Sequence, residues 1–327
     1  MSWIEDNPQT PGSQVTLASS GGGFLSYSGY SASTGAFTAE KSSATVLVQV
    51  SSSSYERRFS DGSIDVYGQP DGSAYYPRRL FLSKRIDPQG NAVTLGYDTR
   101  QRLLTLTDAL GQVTHLQYGD SRDVFRLTGV VDPFGRTATF GYDSSGRLTT
   151  LTDAVGLISH LAYDSGTSIT ALITPYGTTH FVTGESGTNR WVDATDPLGE
   201  TERVEFRDAA PGVSASETLV PTEMNSASGW MNYRNTFFWN RTAHKLYPGD
   251  YTKAKITHWM HSSDDLNFAS DVIESIKEAL DNRLWYNYPG SYSNISGTLD
   301  LPSKIGRVLP YGTTDAASGL QPSFGYA

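Results

Sequence analysis

The sequence predicts a mainly β protein in which tandem antiparallel β-hairpins form a solenoid-like or shell-forming sheet, with one short helix in an insertion. Three observations support this prediction: turn-like tetrads recur at nearly constant spacing, an aromatic residue follows most of them at a fixed distance, and the composition suits short strands. The 327 residues include 32 Gly and 19 Tyr, and only 18% of them are charged. Many turns joined by segments rich in aromatic and β-branched residues are typical of all-β proteins.

The tetrads define the repeat. Their first residues are 21, 24, 21, 21 and 22 positions apart, and such a constant period is the signature of a repeat architecture. A type I turn favours Asp at its first position, Pro at its second and Gly at its fourth, and Asp132-Pro133-Phe134-Gly135 has all three. The six tetrads occupy residues 87–90, 108–111, 132–135, 153–156, 174–177 and 196–199.

A second marker follows each tetrad glycine except Gly177. Five residues after the glycine lies an apolar residue, and seven residues after it an aromatic one. Because side chains alternate along a strand, both point to one face of a sheet. The apolar residues are Leu95, Leu116, Phe140, Leu161 and Val204, and the aromatic residues are Tyr97, Tyr118, Tyr142, Tyr163 and Phe206.

One period therefore contains two strands and two turns, which is a β-hairpin. A second turn follows the aromatic residue at 142–146, and a short strand is expected at 147–152. A lone hairpin is marginally stable, so neighbouring hairpins must pair to bury its apolar face. The residues that we expect to define the repeat structurally are Tyr97, Gly111, Tyr118, Gly135, Tyr142, Gly156, Tyr163 and Gly199.

These residues resemble the YD-repeat family, which includes bacterial Rhs proteins, the C components of insecticidal toxin complexes and animal teneurins. The family motif is Tyr-Asp, two variable residues, Gly-Arg-Leu, then Thr-Asp and a turn glycine. Residues 142–156 match it closely, and residues 97–103 match it with Gln101 in the glycine place. Clear repeats cover residues 80–206, with weaker similarity from about residue 55.

The resemblance implies a structural role. In that family the repeats coil into a hollow β-shell, which in Rhs and toxin-complex members encloses a toxic C-terminal domain. We therefore expect a non-enzymatic segment of such a shell that encloses or scaffolds a cargo or toxin, or that builds an extracellular assembly. The family's self-cleavage motif pairs two Asp-Pro-x-Gly elements closely, whereas the Asp-Pro turns are separate here. The resemblance therefore carries over neither self-cleavage nor a toxin domain.

Four segments are expected along the chain. Residues 1–54 are a cap on the first repeat or a flexible segment, with a strand at 44–50. Residues 55–206 form the YD-repeat sheet, and residues 301–327 resume a truncated repeat, since Phe324 and Tyr326 lie five and seven residues after Gly319. An open end of such a sheet leaves a strand edge unpaired, so we expect pairing with other segments or copies of the same shell.

Residues 207–300 lose the repeat phase and are expected to be an aromatic-rich insertion. A helix is predicted near 268–282, where apolar residues follow the helical period of 3.6 residues. The apolar residues of this stripe are Phe268, Val272, Ile273, Ile276 and Leu280.

The aromatic side chains of the insertion are the candidate ligand-binding residues. Flat amphipathic rings supply contact area for a sugar or a protein partner at low entropy cost, so a carbohydrate- or cell-binding surface module is the alternative function. The other interpretation is that these rings stiffen the end of the shell. The candidates are Trp230, Trp239, Trp259, Trp285, Tyr286 and Tyr288.

Metal and catalytic sites are weakly supported. His258 and His261 lie near Asp264 and Asp265, but their spacing departs from the zinc-protease pattern, and ordinary surface histidines are the favoured interpretation. The repeated turn aspartates are expected to bind their own turn backbone and not to form a glycosidase carboxylate pair. We therefore predict no catalytic residues, no metal and no cofactor.

Composition limits the partners further. The formal net charge is −9, whereas nucleic-acid binding requires a basic surface, so no nucleic-acid partner is expected. There are no cysteines and no 18-residue apolar run, so neither disulfides nor a membrane-spanning helix is expected. The first residues show no secretory signal; the family resemblance nevertheless favours a secreted, secretion-system-delivered or cell-surface protein.

Overall fold

The structure is a computed structural model that describes residues 1–213, 219–221, 224, 228–262, 268–279, 281–308 and 324–325. The chain forms two compact units, Met1–Ser159 and His160–Ala327, and the division lies within the predicted repeat segment. Both units consist of antiparallel strands joined mostly by tight turns. The predicted fold class, a mainly β protein built from tandem antiparallel hairpins, is confirmed.

The first unit contains thirteen complete strands, and β14 (Ile158–Tyr163) begins at its end. The thirteen are β1 (Trp3–Asp6), β2 (Val15–Ala18), β3 (Phe24–Tyr27), β4 (Val46–Ser51), β5 (Ser54–Arg58), β6 (Ile64–Pro70), β7 (Arg78–Ile86), β8 (Ala92–Tyr97), β9 (Leu103–Thr107), β10 (Val113–Gln117), β11 (Gly129–Val131), β12 (Thr137–Tyr142) and β13 (Leu148–Thr152).

The N-terminal strands of this unit enclose a core of their own. β7 pairs with β1, β1 with β2, and β2 with β3, while β4 to β7 pair in succession. The Phe37 N–H bonds Leu47 in β4, and the Thr38 N–H bonds Ser28 just after β3, so main-chain bonds form a continuous circuit. The buried core, here called the N-terminal core, consists of Ile4, Val15, Leu17, Tyr27, Phe37, Leu47, Tyr55, Tyr67, Leu80 and Leu82.

A buried ion pair holds β1 to β7 at this core. The Arg78 guanidinium donates to both carboxylate oxygens of Asp6 at 2.9 and 2.6 Å, and the Tyr55 hydroxyl donates to Asp6 at 2.9 Å. Bidentate, charge-assisted bonds are among the strongest in proteins. Residues 1–54 are therefore folded against the first hairpins, and the predicted strand at 44–50 is present as β4.

The repeats that follow form a sheet with little buried surface. β7 to β13 pair consecutively and antiparallel. Residues 83–159, all of which the structure describes, contain a single buried residue, Gly129. A sheet without a covering layer gains little from apolar burial, so its stability depends on main-chain ladders, turns and cross-strand side-chain contacts.

The second unit continues the hairpin pattern from β14. Consecutive antiparallel pairings run from β14 to β24. One α-helix occurs among the described residues, α1 (Arg241–Leu246), with Asn240 as its N-cap. The strands are β15 (Ile169–Thr174), β16 (Gly177–Ser186), β17 (Asn189–Thr195), β18 (Thr201–Arg207), β19 (Asn235–Trp239), β20 (Lys255–His261), β21 (Ala269–Lys277), β22 (Leu284–Asn287), β23 (Lys304–Arg307) and β24 (Phe324–Gly325).

The helix predicted near 268–282 is wrong, because residues 269–277 form strand β21 between β20 and β22. The register shifts between His258 and Trp259 opposite this strand, and a β-bulge breaks strict alternation of side chains. As a result, the apolar residues Val272, Ile273 and Ile276 have the 3.6-residue spacing of a helix although they lie in a strand. Leu280, Gly319 and Tyr326 lie outside the described residues.

Candidate functional site

The five tetrad turns that begin with aspartate share one hydrogen-bonded geometry. In 132–136 the Asp132 carboxylate accepts the N–H groups of Phe134 and Arg136, both at 2.9 Å, and the Gly135 N–H donates to the Asp132 carbonyl at 3.0 Å. Gly135 has φ +80°, a conformation that a side chain disfavours. The turn geometry therefore explains why the repeat motif has aspartate at the first position of the turn and glycine at the fourth.

The turns that follow Tyr97 and Tyr142 have the same geometry. Asp143 accepts the Arg147 N–H at 2.9 Å, the Gly146 N–H donates to the Asp143 carbonyl at 3.1 Å, and Gly146 has φ +83°. The pKa of Asp143 is lowered, first by the bond from the Arg147 main chain and then by the Arg147 side chain. Gln101, which replaces the motif glycine, adopts φ +62°.

Through its hydroxyl, each repeat tyrosine of the first unit bonds the segment on the other side of its own tetrad turn. Tyr97 donates to the Leu82 carbonyl at 2.6 Å, Tyr118 to Leu103 at 2.9 Å, and Tyr142 to Leu127 at 2.6 Å. The acceptor is fifteen residues earlier in every case. The strand register shifts at Gly96/Tyr97 and at Gly141/Tyr142, so a bulge next to the tyrosine turns its side chain across the neighbouring strand.

The ring of each of these three tyrosines also lies against another side chain, an arginine or a phenylalanine. The Arg102 guanidinium lies 4.9 Å from the Tyr118 ring centre, and Arg126 lies 5.0 Å from that of Tyr142. The Phe81 and Tyr97 ring centroids are 5.8 Å apart. The stacking residue is sixteen positions before the ring and directly precedes the carbonyl acceptor. We call this pair of contacts the tyrosine joint; it gives the Arg-Leu part of the repeat motif a physical role.

Burial keeps the tyrosine hydroxyls protonated. It raises the pKa of Tyr97 to about 12 and also raises the pKa of Tyr118, against the opposing effect of the nearby Arg102 charge. Each hydroxyl is therefore a hydrogen-bond donor across the physiological pH range. In the second unit, Phe206 lies beneath Arg190 at 4.8 Å and keeps the stacking contact without a hydroxyl.

The hydroxyl bond of the joint recurs in the region expected to be an insertion. The Tyr288 hydroxyl donates to the Ile273 carbonyl at 2.6 Å, again fifteen residues earlier. The turn before it repeats the tetrad bond, since the Asp281 N–H donates to the Glu278 carbonyl at 3.2 Å. Tyr288 lies seven residues after Asp281, so the repeat phase is present with aspartate in the glycine place. One contact of the repeat pattern is thus present within residues 207–300.

The six candidate ligand-binding aromatics do not form one surface. Trp239, Trp285 and Tyr288 are buried, with exposures of 1%, 0% and 4%, so their rings are not available for stacking on a ligand. Tyr286 packs beside the buried cluster that contains Tyr288. Trp230 is 41% exposed, and its ring lies edge-on to His261 at 5.4 Å.

Trp259 lines an open groove of the second unit, together with Trp191 and Phe206. The groove has a volume of about 980 Å³ and includes Arg190 and Asp271 at its border. The Trp259 indole N–H donates to the Thr236 hydroxyl at 2.8 Å, so its polar edge is already bonded within the protein. Of the six candidates, Trp259 is the one that lines this groove.

The interpretation of His258 and His261 as surface residues is wrong, because they are 0% and 1% exposed. His258 Nε2 lies 3.2 Å from a Glu274 carboxylate oxygen, and both side chains are fully buried. His258 Nδ1 lies 3.1 Å from the Asn235 side-chain oxygen. The bulge in β21 occurs at Glu274 and directs its carboxylate toward the histidine.

The hydrogen bonds of Asn235 orient this buried cluster. Its amide nitrogen donates to the carbonyls of Ala209, Met231 and Tyr233, so its side-chain oxygen faces His258 Nδ1. The Asn294 amide also donates to Glu274. Sequence patterns gave no sign of this cluster.

Within the described part of the chain, no group of three or more His, Asp or Glu side chains is placed to hold a metal ion. Asp264 and Asp265 lie outside that part. Among the described residues, no helix is long and apolar enough to cross a membrane.

Comparison with known proteins identifies the repeats. Residues 126–158 and 142–179 match the family model described as RHS Repeat. No curated protein sequence matches the chain.

Solved structures show only weak likeness. A crystal structure of TcdB2-TccC3-Cdc42 is similar at 11% identity and a TM-score of 0.28, over 92% of this chain and 19% of that chain. A structure of the Photorhabdus luminescens Tc holotoxin pore is similar at 11% identity and a TM-score of 0.28, over 97% and 19%. The chain spans about a fifth of the length of these chains.

Proposed function

Because the repeats of this chain belong to the Rhs/YD-repeat family, we propose that the chain is a non-enzymatic segment of an Rhs-type β-shell that encloses or scaffolds a cargo polypeptide. The observation that carries the proposal is the tyrosine joint. It fastens the two sides of a tetrad turn to each other at Tyr97, Tyr118 and Tyr142, and its hydroxyl bond recurs at Tyr288.

The joint explains how a thin sheet remains rigid. A sheet with one buried residue between 83 and 159 cannot depend on a hydrophobic core. Each joint adds a hydroxyl bond and a ring contact to the main-chain ladder, and such nearest-neighbour terms stabilise a repeat array additively. The product is a surface of large area made from few residues, which is the property that a wall requires.

The N-terminal core fits the role of a cap. Repeat arrays need an atypical end unit to cover the last apolar face. Residues 1–54 supply β1 to β4, and Ile4, Leu17 and Leu47 are completely buried against the first hairpins. We propose that residues 1–54 cap this end of the sheet and block the pairing of a further strand there.

A protected reporter tests the proposal. An unstructured, protease-sensitive polypeptide is fused after Ala327, and its cleavage rate is compared with that of the same polypeptide added separately to the chain. A wall or scaffold that holds its cargo slows cleavage of the fused reporter by about tenfold or more, because the protease acts only on the released form.

The matched control uses the same fusion with Tyr118→Phe and Tyr142→Phe, which remove two hydroxyl bonds and keep the rings. We expect its reporter to be cleaved faster than that of the unmodified fusion. Equal cleavage of fused and separate reporter would refute the enclosing role, while hydrolysis of the reporter by the purified chain itself would refute the non-enzymatic one.

A further inference from the structure

The turn that follows the second repeat tyrosine of the first unit is longer than its neighbours. Tyr142 and Arg147 are five positions apart across an ordinary turn, whereas Tyr118 and Arg126 are eight positions apart. The three additional residues account for the longest step of the repeat. We call this enlarged turn, residues 119–126, the strap.

The strap lies between two ordinary turns. It connects β10 to β11, while the turns at 98–102 and 143–147 connect β8 to β9 and β12 to β13. In a sheet of successive antiparallel hairpins these alternate connections lie at the same edge, and they are about 10 Å apart because neighbouring strands are about 4.8 Å apart. The strap can therefore contact both neighbouring turns.

The strap is bonded to the turn that follows it. The Arg122 guanidinium donates to the Asp143 carbonyl at 2.9 Å, and the same carbonyl accepts the Gly146 N–H that closes the turn. Arg126, the last residue of the strap, lies over the Tyr142 ring. The strap thus contacts both the turn and the tyrosine joint of the next repeat.

The preceding turn is bonded to the strap through Arg102. One nitrogen of its guanidinium donates to the Val124 carbonyl of the strap at 2.8 Å, and another donates to the Asp98 carboxylate at 2.7 Å. The same guanidinium lies 4.9 Å from the centre of the Tyr118 ring. A single arginine therefore connects the preceding turn, a tyrosine joint and the strap.

Asp120 holds the two strap arginines together. Its side chain is 7% exposed and accepts bonds from Arg126 Nη1 at 2.6 Å and from Arg122 Nη2 at 3.0 Å. The bonds from Arg122, followed by that from Arg126, hold the pKa of Asp120 well below its usual range, so the carboxylate is charged at physiological pH. Asp123 also pairs with Arg126, at 3.4 Å.

Apolar contacts do not account for the position of the strap. Its two large apolar side chains, Val124 and Phe125, are 39% and 63% exposed. Ion pairs and hydrogen bonds therefore hold it, and the Arg122 side chain is itself 50% exposed. Salt weakens such pairs, because the screening length falls from about 10 Å at 0.1 M to about 3 Å at 1 M.

We infer that the strap is a salt-sensitive device that couples the tyrosine joints at Tyr118 and Tyr142. At low ionic strength the closed strap holds the arginines of both joints and stabilises the two ordinary turns beside it. At high ionic strength it opens, and each turn then depends on its own bonds. Segments with few buried apolar contacts open locally in this way. The inference concerns one edge of the first unit and holds whether or not the sheet encloses a cargo.

Native-state hydrogen exchange of the full chain tests the inference. Asp120→Asn removes the charge that holds both strap arginines, so at about 0.1 M salt the amides of Arg102 and Gly146 should exchange about ten times faster than in the unmodified chain. The matched control is Asp132→Asn, because Asp132 pairs with Arg136 of its own turn at 2.5 Å. This control should leave the exchange of both amides unchanged.

A second variant replaces residues 119–126 with the five-residue sequence of the turn at 143–147. The new turn keeps an Asp–Arg pair of its own but lacks the strap contacts, so the amides of Arg102 and Gly146 should again exchange faster. Exchange of the amide of Leu80, which is completely buried in the N-terminal core, should be unchanged and shows that each variant is folded.

Salt gives the second measurement. Raising it from about 0.1 M to about 1 M should accelerate exchange of Arg102 and Gly146 in the unmodified chain more than that of Gly111 in a tetrad turn, and should remove most of the effect of Asp120→Asn. Unchanged exchange in both strap variants, an equal acceleration by Asp132→Asn, or an effect of Asp120→Asn as large at 1 M as at 0.1 M would each overturn the inference.

Discussion

The Tyr288 hydroxyl donates to the Ile273 carbonyl at 2.6 Å, and the two residues are separated by fifteen positions, as Tyr142 and Leu127 are. The hairpin β21–β22 therefore has the same tyrosine hydroxyl bond as the hairpins of the recognisable repeats. This part of the chain continues the same kind of sheet as the recognisable repeats. It differs from them in that many of its aromatic and polar side chains are buried.

The joint hydroxyl is expected to contribute measurably to stability. Tyr142→Phe removes the donor to the Leu127 carbonyl and keeps the ring beneath Arg126, so the free energy of unfolding should fall by about 1 kcal/mol. Urea denaturation measures the loss. The control is Tyr176→Phe, which removes a hydroxyl from a side chain that is 80% exposed and should change stability by less than about 0.5 kcal/mol.

The tetrad glycine is expected to be sensitive for a conformational reason. Gly135 has φ +80° and an open surrounding, so Gly135→Ala introduces strain without any collision and should cost about 1 kcal/mol. Gly21→Ala is the control, because nothing lies near that glycine and its φ is not in the left-handed region. Equal effects of the two substitutions on the thermal midpoint would contradict this explanation.

The turn carboxylates should make stability depend on pH on the acid side. The folded-state pKa of Asp143 is lowered by the bonds from Arg147, so its contribution is complete above the unfolded pKa of about 3.9 and is lost as the pH falls through the folded value. Asp143→Asn should lower the unfolding midpoint at pH 7 and have little effect near pH 2. A constant difference between these pH values would show that the charge is not responsible.

The buried Glu274 should be the most sensitive side chain of the second unit. Glu274→Leu leaves the His258 ring buried without its carboxylate partner and removes a nearby negative charge from the buried Arg234, and the loss of one member of such a buried pair costs about 3 kcal/mol or more. Glu274→Gln should cost less, because its amide keeps a polar group beside His258 Nε2. The control is Glu278→Leu, which breaks the exposed pair with Lys255 and should cost less than about 1 kcal/mol. Equilibrium unfolding ranks the three.

The sequence predicts the hairpins well because their signals are local. Asp132 and Gly135 fix a turn through bonds within five residues, and the fixed distance from Gly135 to Tyr142 sets the strand between them. The tyrosine joint could not be predicted from the sequence, because the carbonyl that accepts the tyrosine hydroxyl bond lies fifteen residues earlier, on the far side of a turn. Only the structure shows why the motif contains Arg-Leu as well as Tyr-Asp.

Prediction failed where burial does not follow hydrophobicity. In β21 the buried residues include Glu274 and Ser275, whereas Phe268 just before the strand is 66% exposed. The apolar stripe therefore did not coincide with the buried face. The bulge at Glu274 also interrupts the alternation that would have indicated a strand. Likewise Trp239 and Trp285 were candidate ligand contacts on residue type alone, and tertiary packing buried them.

The longest repeat step, 24 residues between Asp108 and Asp132, has a consequence for how such a protein changes over generations. The loop between β10 and β11, tied by Asp120 to Arg122 and Arg126, absorbs the extra residues, while Tyr142 still reaches the carbonyl fifteen positions earlier. Since these contacts join only neighbouring strands, genetic duplication or loss of a hairpin can alter the extent of the sheet without redesigning any contact.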